Sequence, residues 1–325
     1  MTETVPPRTV NWIRLLLGLL SKLFGAVLVL WGAATLGFLA VKLIPGDPVD
    51  VMLGPLSSVT DEGRQVLRES MGLHLPLWDQ YLLHLGNMVT GNFGTSFQLR
   101  KPVLEVLAAQ AMPTLWLALA AMGASLLFAT GFALLTRFGF MRAVSNLVEL
   151  FAISAPVFWI AMILALVFNY QLGWLPILFG PEYLKIILPA TALALSITAT
   201  LAQLLREGLD RAAQEPFAFT ALTRGASETR LVLRHTMRHS MAASTTLTGY
   251  IFGSLLGGTV LVETVFSRPG LGRVTLDAIA TRDMPVVIAV IVFSAVVFII
   301  LNWIVDVVAA WLDPRLRRVE AVSVE

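Results

Sequence analysis

Six apolar windows constrain this chain more than any other feature. They fall at about 23–43, 111–136, 147–172, 186–205, 241–262 and 286–312. A helix needs roughly 20 apolar residues to cross the hydrocarbon core of a bilayer. No water is available there, so the backbone N–H and C=O groups of each run must pair within a helix. Composition points the same way. The 325 residues are 57% hydrophobic and 14% charged, against about 45–50% and about 25% in soluble domains. The first window is too long for a signal peptide and no small-residue cleavage site follows it, so it reads as a span. The expected fold is an all-α integral membrane protein with six transmembrane helices.

Basic residues set the expected orientation. The N-terminus and the loops at 137–146, 206–240 and 313–325 carry 14 Lys and Arg, against 9 on the other side. Both termini are therefore expected in the cytoplasm. The domain plan is a cytoplasmic N-terminus (1–22), a first span (23–43), an extracytoplasmic segment (44–110), a five-span core (111–312) with a loop at 206–240, and a cytoplasmic tail (313–325). The 44–110 segment holds four basic and seven acidic residues, a net charge of −3. Thr60 can cap a helix that opens with Asp61 and Glu62 and stops at Gly72. Pro76 can open a second helix carrying Trp78, Tyr81, Leu82, Leu85 and Met88. This makes the segment a small helical cap on the outer face.

The 206–240 loop is the most informative stretch. Residues Glu215 to Arg224 read as a short helix with Pro216 in its first turn. Gly225 can end it in the left-handed conformation. Ser227 can cap a second helix beginning at Glu228, which places Arg230, Arg234 and Arg238 on one face as a membrane-surface anchor. Phe217, Phe219 and Leu222 stand outside any obvious core. Such a knob suits docking to a partner, and an amphipathic loop packed on its own bundle fits the same pattern.

Ala221-Leu222-Thr223-Arg224-Gly225-Ala226-Ser227-Glu228, followed by Arg234-His235 and Arg238, resembles the EAA loop of ABC-importer permeases of the dipeptide/oligopeptide family. Pro45-Gly46-Asp47-Pro48, Gly72 to Leu77 with Gln80-Tyr81, and Gly91 to Ser96 resemble that family's N-terminal outer segment. Val262 to Gly272 resembles its loop before the last span. Asn302, Asp306 and Asp313-Pro314-Arg315 resemble its C-terminal pattern. The ordered set covers about residues 22–316. Phe219 and Leu222 replace residues that are often basic in the family, and Ala243 replaces a usual proline.

The resemblance implies a type I ABC-importer permease, N-in and C-in, in the bacterial plasma (inner) membrane. It implies pairing with a second, homologous permease as a heterodimer. Cytoplasmic ATPase subunits would bind ATP and Mg, the loop helix would sit in an ATPase cleft, and an extracytoplasmic binding protein would deliver peptides. Nickel chelates and small glycopeptides are alternative cargoes in such families. Glu215, Phe217, Phe219, Ala221, Leu222, Arg224, Gly225, Ser227 and Glu228 would form the coupling loop.

No engine is expected in the chain itself. A P-loop needs Gly-Lys before Ser or Thr, and none of Lys22, Lys42, Lys101 and Lys185 follows glycine. Cysteine is absent, which excludes a disulfide framework and thiolate metal sites. His235 and His239 lie one helical turn apart, but Arg234 and Arg238 oppose a cation, so no metal site is expected. The net charge of +2 suggests no nucleic-acid partner. Ser244, Thr245, Thr246, Thr248 and Tyr250 either bond within their helix bundle or line a translocation path. Gly249, Gly253, Gly257 and Gly258 permit close helix approach. Glu263, Phe266 and Arg268 suit an outer gate or binding-protein contact. Glu149 and Asp306 are costly in a span. Pairing with Arg142 or Arg206 accounts for them, and a proton relay in an ion-driven secondary transporter is the rival. A non-transporting membrane scaffold is a third reading.

Overall fold

The computed structural model describes residues 12–43, 46–53, 59–135, 139–231, 253, 255 and 257–312. They are almost wholly helical. The elements are α1 (Trp12–Leu43), α2 (Pro48–Leu53), α3 (Asp61–Ser70), α4 (Leu77–Val89), α5 (Val103–Leu135), α6 (Gly139–Ser154) and α7 (Val157–Leu164), the last continued by a π-helical stretch, Ala165–Gln171. Next come α8 (Glu182–Lys185), α9 (Ile187–Ala213), α10 (Pro216–Thr223) and α11 (Glu228–Leu231). A helix at 257–265, here α12, precedes α13 (Leu271–Ala280) and α14 (Met284–Leu312).

Among the described residues four helices are long and apolar enough to cross a membrane, and a fifth crossing is available if one bent pair counts as a span. That pair corrects the window at 147–172. Arg142–Ser154 and Val157–Gln171 meet at 104°, so the window is not one straight helix. Ala155-Pro156 is the cause. Proline lacks the N–H the helix needs and pushes the preceding residue toward extended backbone. The predicted fifth window, 241–262, lies mostly outside the described residues. Two boundaries also move. The second span begins at Val103 rather than 111, with Pro113 accommodated inside the helix. The fourth runs to Ala213, well beyond 205.

The α5–α9 pair is the centre of the bundle. Lipid is as apolar as leucine, so close packing of small residues drives association of helices in a membrane. On α5, Ala118, Ala121, Ser125, Ala129 and Ala133 recur every three or four residues and are all buried. On α9, Ala190, Ala194, Thr198 and Ala202 recur every four and are buried too. The Ser125 hydroxyl donates to the Ala121 carbonyl of its own helix at 2.7 Å and reaches Ala194 across the interface at 3.3 Å. Two glycines of the fifth window, Gly253 and Gly258, also pack within the chain. A Cβ at Gly253 would lie 2.7 Å from Phe298, and one at Gly258 would lie 3.2 Å from Leu193.

By contrast α1 is peripheral. Only 11% of its apolar window is buried, against 50% for the window in Glu182–Ala213. It runs antiparallel to α14: Lys22 pairs with Asp306 at 2.9 Å, while Gly37 faces Ile288. The segment between α1 and α5 folds over the far end of this pair. Thr60 caps α3 as expected, accepting from Gly63 N at 3.3 Å. Gly72 turns the chain after α3 with φ +68°. Pro76 precedes α4. Tyr81 bonds Thr35 of α1 at 2.7 Å, and its ring lies 5.4 Å from that of Phe38. Burial against α1 holds His84 below the ordinary histidine range, partly offset by its bond to the Ala34 carbonyl.

Candidate functional site

The bundle has two chemically distinct ends. The Lys22–Asp306 pair puts the start of α1 and the end of α14 at one of them; α5 starts beside the start of α14 and so ends there too, where the start of α6 meets the end of α9 through Arg142 and Asp210. There a buried ion pair holds α6 on α9: Arg206 bonds Glu149, and Ser145 Oγ donates to Glu149 Oε1 at 2.6 Å. Both charged side chains are more than nine-tenths buried. Arg142 also reaches Asp210, at 3.2 Å. Glu149 is therefore paired with Arg206, as its cost in a span requires, and Asp306 is paired with Lys22 rather than either arginine.

The loop helix α10 follows directly from this end of α9. Glu215 takes the N-cap position and Pro216 opens the helix. The C-terminus closes in a double bond: Gly225 N donates to Leu222 O at 2.9 Å and Ala226 N donates to Ala221 O at 3.1 Å. This is the Schellman arrangement, which requires a left-handed residue at its turn, and Gly225 has φ +81°. Ser227 then caps α11, accepting from Arg230 N at 3.3 Å. Ala218 is fully buried and seats α10 on the chain. Phe219 is 73% exposed, Leu222 is 43% exposed, and Arg224 is also open to solvent. Phe217 and Ala221 are half-buried. Helix α10 is thus closed at its C-terminus, with Phe219 and Leu222 open to solvent. Of the anchor residues, Arg230 is exposed. Arg234, Arg238, Ser244, Thr245, Thr248 and Tyr250 lie outside the described residues, as do His235 and His239.

The opposite end is organised around Glu263. Its side chain is fully buried. Thr114 of α5 donates to Glu263 Oε1 at 2.6 Å, and Gly272 N and Arg273 N donate to Oε2 at 2.8 and 3.2 Å. Thr114 in turn accepts from Leu271 N at 2.8 Å. The carboxylate therefore caps α13 and ties it to α5. Gly270 and Gly272 make room for it, since a Cβ at Gly270 would fall 2.2 Å from the carboxyl carbon. Phe266 is buried and the Arg268 side chain nearly so. These three side chains face into the bundle.

Two further features at this end were missed in the sequence. Helix α13 lies inside what reads as a Pro-Gly loop, although Leu271, Val274 and Ala278 carry a helical spacing. Asp283 is buried and accepts from Ser96 Oγ at 2.5 Å, Phe97 N at 3.1 Å and Gln98 N at 3.3 Å. It joins the α4–α5 loop to the α13–α14 corner. Ser267 and Arg282 flank α13 with φ +49° and +56°. Left-handed backbone costs a residue with a Cβ roughly 1–2 kcal/mol, so both corners are held by their surroundings.

This arrangement has known counterparts. Residues 125–318 match the family described as binding-protein-dependent transport system inner membrane component. The chain belongs to that family. The permease is 35% identical over 301 residues to the glutathione transport system permease protein GsiC of Escherichia coli (strain K12), covering 92% of this chain and 98% of that one. The protein of that name from Shigella flexneri serotype 5b (strain 8401) matches with the same identity and coverage. The inward facing MetNI methionine ABC transporter shares the fold with a TM-score of 0.54 and 14% identity, over 65% of this permease and 98% of that chain. An amino acid ABC transporter solved with histidines gives 0.51 and 17%, over 63% and 94%. This chain is an inner-membrane permease subunit of an ABC importer. The family match includes α10 and Gly225 and begins within α5.

Proposed function

We propose that this permease imports a small peptide-like substrate, of the size and chemistry of glutathione, using ATP hydrolysed on partner subunits docked at α10. The observation that carries the proposal is the capped α10–Gly225–α11 unit with Phe219 and Leu222 turned outward. ATPase closure would swing α10, and the buried Glu149–Arg206 pair would pass that motion from α9 to α6. The chain would cross the membrane six times with both termini in the cytoplasm. The common side of α10, the start of α1 and the end of α14 supports that orientation, as does the excess of basic residues there. The α2–α4 cap and α13 would then face outward. A second, homologous permease would complete the pore and an extracytoplasmic binding protein would deliver cargo. The Glu263 knot would hold α13 as part of the outer gate.

Proteoliposomes holding the permease pair and ATPase, supplied with a binding protein, test this reading. Labelled glutathione or a short peptide should accumulate with ATP and should continue to accumulate when the proton gradient is collapsed. Accumulation that follows the gradient with ATP held constant would replace this mechanism with ion coupling.

A further inference from the structure

A cavity of about 560 Å³ lies where α1, the α2–α4 cap and the start of α14 meet. It is within the roughly 300–1,000 Å³ range of small-molecule sites. It is remote from α10 and from the α5–α9 centre. One wall belongs to the ends of two spans: Phe38 and Lys42 close to the end of α1, and Met284 and Ile288 at the start of α14. The other wall comes from the cap, with Met71, Gln80 and Asn87. The cavity thus straddles the boundary between the apolar span and its polar cap.

Its charge is one-sided. Lys42 lines it and, among the described residues, no Asp or Glu does. The Lys42 ammonium donates to the neutral Gln80 side-chain oxygen and stands 5.7 Å from the centre of the Phe38 ring. Among the described residues it has no carboxylate partner. His84, which also lines the cavity, is kept toward its neutral form by burial. A cation at the polar end and an apolar wall reaching into the span complement an amphiphile with an anionic head. Methionine supplies an adaptable apolar surface, which suits a chain without fixed shape. A peptide substrate would bring an ammonium as well as a carboxylate, and the lining offers no acid to receive it.

We infer that this cavity holds a phospholipid, with its phosphate at Lys42 and an acyl chain running along Phe38, Met284 and Ile288 between α1 and α14. The lipid would cement the peripheral α1 and its cap to the rest of the bundle. This site is independent of the cargo and of the ATPase.

Native mass spectrometry of the purified full-length transporter tests it. The complex is stripped in detergent and titrated with dioleoylphosphatidylglycerol. The wild-type complex should retain one tightly held lipid per copy of this chain. Lys42→Ala should weaken it about fivefold, the effect of one lysine at an anionic headgroup. Met284→Trp, which fills the cavity and keeps the lysine, should abolish that copy while leaving weaker lipid binding unchanged. Wild-type retention in both variants would overturn the site. So would displacement of the lipid by glutathione or by inorganic phosphate at equal concentration, which would show that the cavity reads a solute.

Discussion

Gly225→Val lowers ATP-driven uptake about tenfold or more while the protein remains in the membrane. At φ +81° a β-branched residue is a conformational outlier, and forcing it there costs about 1–2 kcal/mol or more. Among the described residues beyond its chain neighbours, no atom lies within 4 Å of the position a Cβ would take, so no clash with them spreads into the bundle. The chain relieves the strain by opening the two hydrogen bonds that close α10, which releases the angle between α10 and α11. Each 1.4 kcal/mol lost from the coupled state is a factor of about ten, so uptake should fall by about tenfold or more. Gly225→Asn should be milder, because asparagine tolerates the left-handed region better. Transport rate is measured against membrane content of the same preparation. Unchanged uptake in the valine variant would remove the lever from the mechanism.

Glu149→Leu should destabilise the bundle more than any surface change. Glu149 and Arg206 share one buried pair. Deleting the acid leaves the Arg206 guanidinium buried without that carboxylate, a change that costs about 3–5 kcal/mol. Replacing both, Glu149→Leu with Arg206→Met, should recover most of the loss, because an apolar pair of similar volume is often neutral. Thermal unfolding of the purified protein in detergent checks both variants. If the single variant unfolds at the wild-type temperature, the pair does not hold α6 on α9.

Local chemistry was legible in the sequence because it depends on neighbours in the chain. Thr60, Gly72, Pro76, Gly225 and Ser227 each act within a few residues, and each takes the role its spacing implies. The apolar windows also marked the long helices, since lipid imposes length directly. The bend at Pro156 was written in the sequence but hidden by a run of hydrophobic residues on both sides, where hydropathy alone cannot tell one helix from two. Glu263 and Asp283 were opaque for a different reason. Their partners lie far off in the chain, at Thr114 and at Ser96, and a charged residue beside a loop reads as exposed until the fold brings those donors to it. The pairing of Glu149 with Arg206 sits between these cases. The cost of charge in a span demanded a partner, and only the packing of α6 on α9 selected which arginine.

Cross-linking from α10 tests the central claim most directly, and the absence of cysteine from the chain leaves no background thiol. A thiol-reactive cross-linker is applied to Phe219→Cys in membranes containing the whole transporter. Trp78→Cys, exposed on α4 at the other end of the bundle, serves as the comparison. A cross-link to the ATPase subunit should form from position 219 and change in yield on ATP binding, and none should form from position 78. No ATPase adduct at 219, or equal adducts at both positions, would contradict that claim.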